Sequence, residues 1–167
     1  MTTLLWAGGF VLLCALLGGL PYWYFSVRPR RLYAQALRQQ AQGNIGAALG
    51  LLALLCRDYP EQTAGVWRYA GLLFERERYR EARSWLQLLL QRTLEEEPSV
   101  LDVRRLLART CEKLGEYRAA IAEYDTLITL AATKTDFIFE RGLLRVQLRE
   151  WPAALADFTA VVRERPN

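Results

Sequence analysis

Small side chains recur along this 167-residue chain at a fixed stride, and that stride restricts its folds more than any other feature. Ala36, Ala70, Ala108 and Gly142 form one series, and Ala48, Ala82, Ala120 and Ala154 a second. Both step by 34, then 38, then 34 residues, and 12 residues separate each member of the first series from its partner in the second. A period of this size is the mark of stacked supersecondary units, each too small to bury its own apolar face alone. Two small residues 12 apart suit the two antiparallel helices of a hairpin, which approach closest where side chains are shortest. Bulky residues keep the same register: Ile45, Tyr79, Tyr117 and Trp151, then Leu52, Leu86, Tyr124 and Phe158 seven residues later. Pro60, Pro98 and Pro166 close three of the units, with Ala132 at that column in the third. The four extra residues of the second unit fall between Ala82 and Pro98 and predict one more turn at the end of its second helix, around 93–97, which leaves the apolar stripe in phase.

These columns resemble the tetratricopeptide repeat, a 34-residue unit with small residues at columns 8 and 20, aromatics at 17 and 24 and Pro at 32. The resemblance is closest in the last unit, Phe139-x-x-Gly142 followed by Leu148-x-x-Trp151-x-x-Ala154-Leu155-Ala156-Asp157-Phe158 and Pro166-Asn167. The third unit is similar, with Ala108, Leu114-Gly115-x-Tyr117, Ala120 and Tyr124. The first two depart from the pattern at Gln35, Gln39, Tyr69 and Leu73. The resemblance covers Pro29 to Asn167 and implies an all-α chain: a right-handed α-solenoid of about four hairpins, 29–62, 63–100, 101–134 and 135–167, within a domain over 26–167.

It also implies a groove lined by the first helix of each hairpin. Carried over column by column, Tyr33 and Leu37 come from the first unit, and Trp67, Gly71, Phe74 and Glu75 from the second. The third supplies Asp102, Arg105, Arg109, Glu112 and Lys113, and the fourth Asp136, Phe139, Leu143, Val146 and Gln147. Trp67 and Phe139 suit groove and inter-hairpin core equally. Relatives that clamp a C-terminal carboxylate use Lys and Asn at the columns held here by Arg105 and Arg109, so that activity is not implied. An Arg pair one helical turn apart, among Trp and Phe anchors, is instead expected to contact an acidic or carboxylate-bearing partner segment. The sequence ends at Asn167, just after the fourth hairpin, so Ala154, Leu155, Phe158, Val161 and Val162 are expected to lack a covering helix and to dock on a partner or on another copy.

Ahead of the repeats, Leu4 to Phe25 run 22 residues without a charge. A helix of that length covers the roughly 30 Å apolar core of a bilayer. A cleaved signal peptide is disfavoured by the uncharged start Met1-Thr2-Thr3 and the bulky end Pro21-Tyr22-Trp23-Tyr24-Phe25, and a buried core helix by the length. The expected span is a transmembrane anchor. Tyr22, Trp23 and Tyr24 mark an interface, and Arg28, Arg30, Arg31 and Arg38 follow it, which by the positive-inside rule puts the repeats on the cytoplasmic or stromal side of a plasma or thylakoid membrane. Gly8-Gly9, Ala15 and Gly18-Gly19 suit close packing with another membrane helix.

The net charge of +4 comes without a basic run, since Arg alternates with Asp and Glu from Arg68 onward, and nucleic acid is not an expected partner. There is no His, and Cys14, Cys56 and Cys111 are too scattered for a metal or redox motif, which leaves them as small apolar core residues. Glu75, Glu77 and the run Glu95, Glu96, Glu97 lie among Arg residues at one-turn spacing, as solvated helix faces do. No catalytic, cofactor or metal-ligating residue is assigned, and no small-molecule substrate is expected. The expected function is a membrane-tethered protein scaffold whose partners are a membrane protein complex and its subunits. One span followed by three to four repeats is similar in layout to the photosystem I assembly factors of cyanobacteria and plastids. A permanent accessory subunit of a membrane complex and a bacterial envelope-biogenesis or protease adaptor share that layout.

Overall fold

The computed structural model describes residues 23–92 and 98–164. Outside the described residues lie 4–22 of the apolar segment, with Gly8-Gly9, Cys14, Ala15, Gly18-Gly19 and Tyr22, and also the insertion at 93–97 with its three glutamates, and Pro166-Asn167. Among the described residues no helix is long and apolar enough to cross a membrane.

After a π-type turn over Trp23–Val27, the described residues form eight α-helices. They are α1 (Arg28–Ala41), α2 (Ile45–Asp58), α3 (Thr63–Glu75), α4 (Tyr79–Leu90), α5 (Val100–Lys113), α6 (Tyr117–Leu130), α7 (Thr135–Gln147) and α8 (Trp151–Glu164). Two compact units meet in sequence between Gly65 and Val66.

In the N-terminal unit α1 packs on α2. Pro29 opens α1, where a missing amide hydrogen costs nothing. Ala36 on α1 and Ala48, Leu52, Leu55 and Cys56 on α2 are buried. Arg28 lies 5.4 Å above the Tyr24 ring and 5.9 Å above Tyr59, and reaches the Asp58 carboxylate at 3.4 Å. Gly65, in the first turn of α3, sits so near α2 that a β-carbon there would fall 2.5 Å from Leu55 Cδ2.

In the C-terminal unit α5 packs on α4, α6 on α5, α7 on α6 and α8 on α7. Tyr69 and Trp85 meet edge to face at 5.6 Å between α3 and α4. Ala70, Ala82, Ala108, Ala120, Gly142 and Ala154 are all buried. With Ala36 and Ala48, all eight small residues of the repeat therefore lie in helix contacts. Gly142 shows why: a β-carbon there would come within 2.8 Å of Phe158 Cε1 and 3.2 Å of Asp157 Cβ.

Each hairpin turns on the same device. The first helix ends with paired backbone bonds, Gly43 N–H to Gln40 and Asn44 N–H to Gln39, and the pattern repeats at Glu77/Arg78, Gly115/Glu116 and Arg149/Glu150. This left-handed cap needs positive φ at its first residue. Gly43 (φ 80°) and Gly115 (φ 75°) adopt it freely, whereas Glu77 and Arg149 hold φ of 60° with a β-carbon present.

Two expectations are corrected. Glu77 belongs to this turn and not to a solvated helix face, because the capping bonds of α3 use its amide. The second helix of the second unit ends at Leu90, capped through the Gln91 amide, so it stops before residues 93–97 and is not lengthened by the residues up to 92.

Candidate functional site

Ser99 opens α5: its Oγ accepts from the Asp102 amide at 3.2 Å and donates to the Asp102 carboxylate at 2.5 Å. From that fixed start, Arg105 and Arg109 stand one turn apart on the same face. Arg109 Cζ lies 5.3 Å from the centre of the Phe74 ring on α3, and Arg105 Cζ lies 5.2 Å from that of Phe137 on α7. The rings are themselves held in place, Phe74 edge to face with Tyr79 at 5.3 Å and Phe137 beside Tyr124 at 6.4 Å. Trp67, Gly71, Phe74, Asp102, Arg105 and Arg109 line a trough of about 470 Å³.

Other arginines of this unit pair with carboxylates: Arg83 with Glu116 at 2.5 Å, Arg104 with Glu123 at 2.7 Å, and Arg141 and Arg145 with Asp157 at 2.5 and 2.8 Å. Arg105 and Arg109 instead stack on aromatic faces, both exposed to solvent. Stacking fixes a guanidinium plane while leaving its N–H edge free for a carboxylate. Beside Arg109, the Glu140 carboxyl is pushed above its ordinary value by partial burial and by Glu112 and Asp136, against the pull of Arg109. Burial, then Glu140 and Glu112, raise the Tyr124 phenol to about 12 despite Arg109 and Arg105.

Burial lifts the Cys56 thiol to about 12 and raises Cys111, so both remain thiols in the core. Among the described residues no group of His, Cys, Asp or Glu is placed to hold a metal ion.

The sequence-derived groove residues divide. Trp67 and Phe74 are half-buried on the trough with Arg105 and Arg109. Phe139 and Leu143, 43% and 41% exposed, continue along α7 with half-buried Val146, and the Phe139 ring lies 5.7 Å from Phe158. Tyr33 lies half-buried on α1 in the N-terminal unit. Leu155 and Val162 are 68% and 67% exposed on α8, with Phe158 half-buried behind them. Ala154 departs from the expected open edge: it is buried, because its column faces α7 within its own hairpin. Phe137 and Glu140 were not among the expected groove residues. Phe137 shares its column with buried Val103, which was the available signal that it bridges hairpins.

The sequence profile described as "Tetratricopeptide repeat" matches residues 33–93. No curated protein matches the chain in sequence. Among solved structures, residues 41 to the end of MamA from Desulfovibrio magneticus RS-1 superpose with a TM-score of 0.67 at 15% identity, over 83% of this chain and 78% of that one. A tetratricopeptide repeat protein from Parabacteroides merdae gives 0.69 at 19% identity, over 82% and 53%. YrrB, described as a TPR protein with an unusual peptide-binding site, gives 0.65 at 18% identity, over 81% and 68%. At such identities the likeness is one of fold. Taken with the profile match over residues 33–93 and the buried small-residue columns, it gives this chain the fold of stacked helix hairpins of the tetratricopeptide type.

Proposed function

We propose that this scaffold holds an acidic segment of a partner protein in the trough between α3 and α5, and that it does so at a membrane to which Leu4–Phe25 tethers it, on the cytoplasmic or stromal side. The observation that carries the reading is the Arg105/Arg109 pair, held on Phe74 and Phe137 with its N–H edges open beside Trp67. A flat aromatic wall plus two oriented guanidinium groups matches a peptide whose carboxylates lie one turn apart. The peptide-binding site ascribed to YrrB supports the fold's capacity for this task.

Tethering raises the effective concentration of a modest binding site near membrane partners, which suits a factor that attends the assembly or stability of a membrane complex. The photosystem I reading rests on layout alone, one apolar span followed by repeats, and the MamA and YrrB likenesses do not bear on it. Affinity purification of the full chain from membranes is the test. Arg105→Glu combined with Arg109→Glu is expected to cut recovery of specific partners by about tenfold, equivalent to about 1.4 kcal/mol. Unchanged recovery would overturn the trough assignment. Release of the full chain from membranes by alkaline carbonate would overturn the tether.

A further inference from the structure

Gly71 stands inside α3, where glycine weakens a helix relative to alanine. Gly65 and Gly142 are required by packing, since a β-carbon there would strike Leu55 or Phe158. At Gly71 the backbone is helical, the residue is half-buried, and a β-carbon would meet nothing within 4 Å. Gly46 and Gly50 are also unopposed, but they lie exposed on the surface of α2. Neither backbone nor neighbour calls for a glycine at 71, so what its bareness supplies is space.

The repeat stride places Leu37, Arg109 and Leu143 at this column in the other three first helices, and only α3 leaves it bare. The bare column opens into the trough, with Trp67 one turn before it and Phe74 nearly one turn after it. Seven residues put Trp67 and Phe74 about 10 Å apart along the helix axis. One ring between them, at contact distances of about 3.5 to 4 Å from each, fills that gap. Arg105 and Arg109 line the same trough from α5, and its volume of about 470 Å³ falls within the roughly 300 to 1,000 Å³ of ligand sites. Acids alone would leave the gap unfilled, and a ring alone would leave the guanidinium edges to water. An aromatic guest suits the gap better than an aliphatic one because both walls are rings, and ring pairs gain beyond the area they bury.

We propose, on the reading of the trough as the seat of an acidic segment, that Gly71 is its specificity position. The guest segment carries an aromatic residue that enters the bare column between Trp67 and Phe74, while a neighbouring carboxylate reaches Arg105 or Arg109.

Fluorescence anisotropy with the full chain in mild detergent tests it. The probes are two dye-labelled peptides of about 12 residues, one of alternating Glu and Ala and one with a central Ala replaced by Phe. The Phe peptide is expected to bind about tenfold tighter than its counterpart. Gly71→Leu, which fills the column as Leu37 and Leu143 do, is expected to erase that preference while changing affinity for the Glu/Ala peptide by no more than about twofold. The same variant, in the same detergent, separates binding from uptake of the Phe peptide by micelles. Gly71→Ala is expected to raise the thermal midpoint by about 2 to 4 °C. Equal binding of the two peptides, a Phe preference that survives Gly71→Leu, or a lowered midpoint for Gly71→Ala would overturn the role of Gly71 and leave the trough reading standing. Failure of both peptides to bind, or binding indifferent to Arg105→Glu with Arg109→Glu, would overturn the trough reading and the role of Gly71 with it.

Discussion

Two arginine pairs, each one helical turn apart on the first helix of a hairpin, meet opposite fates. Arg141 and Arg145 on α7 close on Asp157, which is only 3% exposed, and Arg141 also reaches Asp125. Arg105 and Arg109 on α5 lie on aromatic rings and face solvent. In repeat register the two pairs are offset by two columns, and two residues on a helix amount to about 200°. The same residue type at the same spacing thus becomes structural on the face turned to its own second helix and available on the opposite one. An arginine pair acquires its role from the face it occupies, and a repeat protein makes that face readable from the stride.

The sharpest break between the pairs is energetic. Removing Asp157 leaves two guanidinium groups, both largely covered, around a vacated acid, and hydrogen bonds among them are lost from Arg141 Nε and Nη2 and from Arg145. Asp157→Ala is expected to cost about 3 kcal/mol in urea unfolding. Arg105→Ala with Arg109→Ala is expected to cost about 0.5 to 1 kcal/mol, the worth of two exposed stacked cations. Equal losses would mean that the trough pair is structural too.

A smaller substitution separates charge from backbone in the same hairpin. Arg149 closes α7 at φ 60°, the position Gly115 fills in the preceding hairpin at φ 75°. Arg149→Gly is expected to stabilise by about 0.5 to 1 kcal/mol, strain relief exceeding the added chain entropy of glycine. The same increment should appear in the Asp157→Ala background if the two effects are independent. A gain that vanishes there would show that Asp157 acts by holding the turn rather than by pairing with arginine.

These turns also show where the sequence is legible and where it is not. The eight small residues announce helix contacts because nothing larger fits, as Gly142 against Phe158 demonstrates. Gly43 and Gly115 mark their turns for an equally local reason. Glu77 and Arg149 carry no such mark, since their backbone is set by capping bonds to Phe74 and Leu73 or to Val146 and Arg145. The trough divides in the same way. Column position puts Arg105 and Arg109 on the open face, but their seats on Phe74 and Phe137 are contacts between helices, and a period within one helix does not specify its neighbour's ring. Phe137 stands two residues from the expected Phe139, on the other side of α7, where it bridges to α6 and is buried. The end of α4 at Leu90 was likewise hidden, because a four-residue insertion preserves phase whether or not it is helical.

The finest distinction is carried by Glu140, the acid that most resembles a partner for Arg109. Were the two paired as Glu81 and Arg78 are, the Glu140 carboxyl would be held below the ordinary carboxylate value of 4.5, as the Arg78 hydrogen bond holds Glu81; instead it is raised, with burial outweighing Arg109 and with Glu112 and Asp136 adding to the rise. A folded-state value above the unfolded one favours the protonated acid. Glu140 therefore contributes stability at pH below the ordinary carboxylate value, and that contribution is lost as pH rises through the raised one. At neutral pH the ionised group opposes folding. Glu140→Gln is expected to raise the urea midpoint slightly at pH 7, with the advantage shrinking as pH falls through the carboxylate range. A loss at pH 7 that disappears in acid would have the opposite sign. It would show that Glu140 already occupies Arg109 as an internal partner, leaving Arg105 alone to receive an acidic guest.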